Sequence, residues 1–287
     1  MKTKSSKFIT KTLAALALAM LASSSFAAST WAFGSTACQS VTSTTNFGNS
    51  ATCGASIGSG TVSVYAWGAG AGAESTGYRA AFLSPQGSAS GYGVKSQLEG
   101  LSASPPEHSM DNNPDANLPD LILLKFNTSV ALDTVKLGWS QSDADFTVMA
   151  YTGNATLTDM QTLITGKNAS TLTGNGTGTG WALVENSGDP DTSTVGYSSN
   201  GTDIQRTVNN GSGLNSNKNV SSSWWLISAY SAGFGGGSMD SLVDYVKVLG
   251  VSTKDVPGKV PEPGSIALLG LGLIGIVGVR RRKQPSM

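Results

Sequence analysis

The 287-residue chain predicts an all-β fold, an antiparallel sandwich or jelly roll, carried between two targeting segments. Three observations predict it. Short runs of Val, Ile, Leu and aromatic residues recur, separated by clusters of Gly, Asn, Ser and Thr. Charged residues make up only 13% and glycine is 36 of 287, which excludes coiled coils and long helical bundles. No long helical period of apolar residues runs through residues 28–259.

The elements follow in chain order. Residues 61–67 (TVSVYAW) alternate Val62, Val64 and Ala66 against Ser63, Tyr65 and Trp67, the pattern of a strand. The Gly/Ala run at 68–73 reads as a loop after it. Residues 92–101 and 156–164 each suit a short helix. Residues 121–126 (LILLKF) form a buried strand, and residues 130–139 (VALDTVKLGW) a strand pair or one bent strand. An Asp-rich turn precedes a strand at 146–151 (FTVMAY). Residues 181–184, 224–230 (WWLISAY) and 242–251 (LVDYVKVLGV) complete the set. Alternation places Trp224 and Trp225 on opposite faces, one buried and one less so. Residues 171–180 and 198–219 read as long polar loops with little to bury. The body is not divided further; Ser104-Pro105-Pro106 is its best internal boundary.

Charge separates the ends from the middle. Lys2, Lys4, Lys7 and Lys11 lie at one end, and Arg280, Arg281, Arg282 and Lys283 at the other. Residues 28–259 hold 10 basic and 17 acidic residues, a net charge of about −7. Such a body has no electrostatic reason to bind nucleic acid. The N-terminal lysines precede an uncharged run at 13–21 (LAALALAML) and then small residues. Ser25 and Ala27 fit the −3 and −1 positions of a signal peptidase site, so residues 1–27 read as a signal peptide cut after Ala27, handled by the Sec translocon. Cys38 and Cys53 are the only cysteines. In an oxidising compartment they form a disulfide, which contributes about 3 kcal/mol in the chain-entropy account.

Residues 260–287 contain three parts. Pro261, Glu262 and Pro263 come first, and prolines hold the chain extended. Residues 264–279 (GSIALLGLGLIGIVGV) are apolar, a single transmembrane helix of about 24 Å. The cluster Arg280, Arg281, Arg282 and Lys283 then stays cytoplasmic, leaving the body on the far side of the inner membrane. The G-x-G-x-x-G of Gly270, Gly272 and Gly275 is chance, since no strand precedes it and no pyrophosphate fits an apolar span.

In this order and position the tail resembles the PEP-CTERM sorting signal. The resemblance implies processing near Pro261-Glu262-Pro263 by an exosortase, a multi-pass membrane enzyme with a catalytic cysteine. It also implies a Gram-negative bacterium and delivery of the body to the cell surface or the extracellular, exopolysaccharide-containing biofilm matrix. His108 to Asn112 (HSMDN), residues 121–126, Leu137-Gly138-Trp139 and Ser142 to Phe146 (SDADF) also resemble one family of exosortase-dependent surface proteins, which brings no established activity.

Candidate chemistry in the body is sparse. Asp111, Asn113 and Asp115, within a stretch that also holds Asn112, Asn117 and Asp120, form an oxygen-rich loop of the kind calcium takes. The EF-hand spacing is missed, since Ala116 stands where its glycine belongs, and Asp/Asn clusters are ordinary turn formers. Asp143 and Asp145 are a second such pair. No other cofactor is implied. His108 is the single histidine, there is no G-x-S-x-G elbow, and no carboxylate pair is singled out for glycoside hydrolysis. Six tryptophans are either core anchors or sugar-stacking platforms. The expectation is therefore a non-enzymatic structural or adhesive surface protein, with a lectin-like module as the alternative and a secreted hydrolase behind it.

Overall fold

In a computed structural model of the protein, the described residues are 28–38, 41–104, 106–113, 115–173, 180–187, 204–211, 217–235 and 243–254. The signal peptidase site at Ala27, the Pro261-Glu262-Pro263 motif, the apolar segment and Arg280, Arg281, Arg282 and Lys283 all lie outside them.

Among the described residues, fourteen strands build two seven-stranded antiparallel sheets. The first sheet runs β12 (Ile204–Thr207), β9 (Leu132–Ser142), β14 (Asp244–Thr253), β6 (Tyr92–Lys95), β5 (Phe82–Pro85). Strands β1 (Thr30–Ala32) and β7 (Met110–Asp111) also pair with β14. The second sheet runs β11 (Trp181–Ser187), β10 (Phe146–Tyr151), β13 (Ser222–Ala229), β8 (Leu121–Val130), β3 (Thr61–Ala69), β2 (Ser50–Gly54), with β4 (Tyr78–Ala80) on β3. β3 and β8 pair across the Ser104-Pro105-Pro106 boundary, and residues Ala28–Lys254 form one unit.

Alternation explains the core. Ile122, Leu124 and Phe126 of β8, Val62 and Val64 of β3, and Trp225 and Ile227 of β13 face Val135 and Leu137 of β9 and Val246 and Val248 of β14. The opposite face of the second sheet is covered as well. Leu121, Leu123, Trp224, Leu226 and Met149 pack under helix α1 (Leu157–Ile164) and helix α2 (Ala169–Thr173) through Met160, Ile164 and Leu172. Thr156 starts α1 with a capping box, its hydroxyl accepting from the Asp159 N–H. Both Trp224 and Trp225 are therefore buried, contrary to the alternation reading. Their indole N–H groups donate to Ala155 O at 2.9 Å and Ser222 O at 3.0 Å, so burial leaves no polar atom stranded.

Other expectations are corrected by packing. Residues 92–101 hold a strand, β6, because Gly93 lies against the backbone of His108; a Cβ there would stand 2.0 Å from its oxygen. Gly68 and Ala69 extend β3 instead of starting a loop, and pair with Arg79 and Tyr78. Residues 130–139 are divided between the two sheets, β8 ending at Val130 and β9 beginning at Leu132. The polar stretch 198–219 contributes β12 and the fully buried Val208 and Asn209. Asn209 explains why a polar residue is tolerated there: its side chain bonds Leu132 O, Val220 O and Val220 N. Thr171 to Thr173, read as loop, belong to α2.

Candidate functional site

Six strand ends meet at one end of the sandwich: the ends of β3, β9 and β13 and the starts of β8, β10 and β14. β7 is placed there by its pairing with β14, Asp111 opposite Tyr245. Asn112 then joins the sheets, its amide donating to Tyr230 O at 3.1 Å and to Asp244 Oδ2 at 2.7 Å. Two groups of three carboxylates occupy this end.

Glu99, Asp111 and Asp120 form the first group; one oxygen from each lies within 4.8 Å of the other two. Glu99 is held by the turn after β6, where its Oε2 accepts from Ser96 N at 2.8 Å and Ser96 Oγ at 2.9 Å. Asp111 Oδ1 accepts from Asn113 N at 3.1 Å. Asp120 immediately precedes β8, and its N–H donates to Asp111 O at 2.7 Å. Gly68 makes the room: a Cβ there would lie 2.3 Å from Asp120 Oδ1 and 2.8 Å from Ser96 Cβ. Asp111 and Asp120 are 2% and 3% exposed, and Glu99 is half-buried. Glu99 Oε1, Asp111 Oδ2 and Asp120 Oδ2 are buried with no hydrogen-bond donor.

The electrostatics follow from burial. Desolvation first, then the charge of Glu99, pushes Asp111 up to about 9. Desolvation pushes Glu99 up to about 7 against the opposing Ser96 hydrogen bonds. Burial, then the charges of Asp111 and Asp120's other neighbour Glu99, holds Asp120 well above the usual carboxylate range. Tyr78 is raised too, by burial first and then by Asp120 and Asp115. The nearby lysines are engaged elsewhere. Lys95 Nζ donates to Leu101 O at 2.9 Å. Lys247 Nζ lies 2.9 Å from His108 Nε2 and 4.1 Å from the centre of the Trp139 ring.

Asp143, Asp145 and Asp244 form the second group, all buried, with one oxygen from each again within 4.8 Å of the others. Here the backbone supplies donors. Asp143 Oδ1 accepts from Ala144 N at 2.7 Å, and Asp244 Oδ1 from Asp145 N at 2.8 Å. Asp244 N donates in turn to Asn112 Oδ1 at 3.0 Å.

The proposed ligand loop is rearranged. Asp111 enters the first group, but Asn113 is exposed and contributes its N–H, and Asp115 Oδ1 accepts from Asn117 N at 2.8 Å as a turn former. Asp120 joins from the same stretch, Glu99 from the preceding turn. Cys38 and Cys53 form the expected disulfide. Five tryptophans are buried (Trp31, Trp67, Trp181, Trp224 and Trp225), and Trp139 alone is half-buried. His108 is a half-buried turn residue whose burial, with Lys247 and Lys95 close by, pulls it down to about 4.

Comparison with known proteins identifies one segment. Residues 259–283 match the PEP-CTERM protein-sorting motif, the segment whose order of prolines, apolar run and basic residues carried the resemblance. The motif supports an exported surface protein sorted by an exosortase, with membrane anchoring in transit. No curated protein matches the chain.

Proposed function

We propose that this chain is a non-enzymatic structural or adhesive protein of the cell surface or exopolysaccharide matrix, exported through the Sec translocon, trimmed by signal peptidase after Ala27 and released or attached by an exosortase. The motif at residues 259–283 carries the reading. The body supports it in kind: a two-sheet sandwich of low charge, closed by a disulfide, suits a chain displayed outside the cytoplasm. A lectin-like role would need an exposed aromatic platform, and burial of five tryptophans in the two cores leaves Trp139, half-buried, as the one tryptophan that could contribute to it.

The test is the mature protein's own termini, read by mass spectrometry from native cells. The reading expects an N-terminus at Ala28 and a C-terminus near Pro261-Glu262-Pro263, in the surface or matrix fraction. A surface species that still carries Arg280, Arg281, Arg282 and Lys283 would overturn exosortase processing. Intact chain in the cytosol would overturn export.

A further inference from the structure

We propose that Glu99, Asp111 and Asp120 form a calcium site that ties three chain segments together at one end of the sandwich. Two observations meet here. One is the convergence of three carboxylates, from the turn after β6, from β7 and from the head of β8, with an oxygen of each within 4.8 Å of the others. The other is that Asp111 and Asp120, 2% and 3% exposed, each keep a buried Oδ2 with no donor to meet it within this group, and Glu99 adds a third such oxygen, Oε1. A buried carboxylate oxygen without a hydrogen bond costs free energy that an ordinary turn or cap would avoid. None of the three forms an ion pair with a described lysine or arginine, and Gly68 keeps the space clear.

The donor set selects the ion. All ligands are carboxylate oxygens, which favours hard cations over zinc or copper. Magnesium insists on near-ideal octahedral geometry and retains several waters, whereas calcium accepts irregular, mostly protein-built oxygen sets. The side open to solvent is that of half-buried Glu99. The site differs from the Asp111, Asn113 and Asp115 loop that the sequence offers, sharing only Asp111. The choice of calcium leans on the export reading, because calcium is abundant outside the cytoplasm; binding to the purified chain does not depend on that reading.

The experiment uses the purified full-length chain in detergent, stripped with chelator. Calcium is added to about 10 mM, above the roughly 0.1–1 mM dissociation constants of weak extracellular modules. The expected result is saturable binding of one calcium by titration calorimetry and a rise in melting midpoint of roughly 3–10 °C. Magnesium gives a smaller rise. Asp120→Asn and Asp111→Asn each weaken calcium binding by at least about tenfold, because the charge count of the ligand set governs affinity. In chelator Asp120→Asn melts at or above the parent, which shows that the variant is folded. Asp143→Asn leaves calcium binding in place. Absence of saturable binding would overturn the site and leave three carboxyl groups sharing protons. Magnesium matching calcium would overturn the ion, and loss of binding in Asp143→Asn with retention in Asp120→Asn and Asp111→Asn would overturn the location.

Discussion

The two carboxylate groups lie at the same end of the sandwich, are alike in size and are both largely buried, yet they are held by different means. In the second group the fold meets Asp244 on both oxygens, through the Asp145 N–H and the Asn112 amide, and Asp143 on Oδ1 through the Ala144 N–H. In the first group each carboxylate keeps one buried oxygen, Glu99 Oε1, Asp111 Oδ2 and Asp120 Oδ2, with no donor, and none of the three has both oxygens met as Asp244 does. The difference teaches that acidity alone does not define a site. A carboxylate whose oxygens are satisfied by the fold works as a brace, whereas one left without donors needs a cation or a proton.

The largest effect is expected from removing the brace. Asp244→Ala takes the acceptor from Asp145 N and from the Asn112 amide, leaving buried donors unpaired. The loss should be about 2–4 kcal/mol in a urea unfolding series. A loss near zero would mean that the second group is no better satisfied than the first. Next comes Gly68→Ala. The new methyl would stand 2.3 Å from Asp120 Oδ1, so the start of β8 must shift. The expected cost is about 1–3 kcal/mol, together with a weaker thermal response to calcium. An unchanged calcium response would separate Asp120 from the site.

The smallest effect concerns the cation that neither group uses. His108 is pulled down to about 4 by burial first and then by Lys247 and Lys95, so it is neutral in the folded state at pH 5. Nε2 then accepts from the Lys247 ammonium. An unfolded histidine titrates near 6.5, so the unfolded chain binds more protons between about pH 4 and 6.5. This contribution to stability is present above pH 6.5 and is lost as the pH falls toward 4. Carboxylates such as Glu99, raised to about 7, act in the opposite sense over part of that range, so the measurement is the difference between parent and His108→Gln. The gap in urea midpoints should narrow by a few tenths of a molar between pH 7 and pH 4.5. No pH dependence in that gap would mean that His108 titrates normally and that Lys247 is free to serve the Glu99 group.

The sequence made the long strands legible and the short ones obscure, for a physical reason. β3, β8, β10 and β13 carry alternating or continuous apolar residues because they line one or two cores. β2 (SATCG) and β12 (IQRT) have few apolar residues and are strands because a neighbour's ladder recruits them. The cover over the second sheet is legible only in part: the sequence suits a short helix at 156–164, where α1 stands, but not its packing over the sheet, so one of Trp224 and Trp225 reads as less buried when both are enclosed. Two of the three members of the first carboxylate group are legible: Asp111 and Asp120 stand in the Asp/Asn stretch. Glu99 did not stand out, because it arrives from another turn, and Asp244 arrives from the last strand. One signal was available. Asp120 and Asp145 immediately precede β8 and β10, and Asp244 opens β14, so three strands begin at the same end of the sandwich with aspartate.

The place of β14 in the first sheet bears on how such a body reaches the outside. This strand pairs with β1, the first described strand, and with β9, β6 and β7, yet among the described strands it is the last in the chain. Until it emerges, the β9–β12 pair and the β5–β6 pair have nothing to join them. The first sheet is thus kept open until this strand is present, and it assembles in one late event. The strand that completes the body therefore directly precedes, in the chain, the sorting motif at residues 259–283.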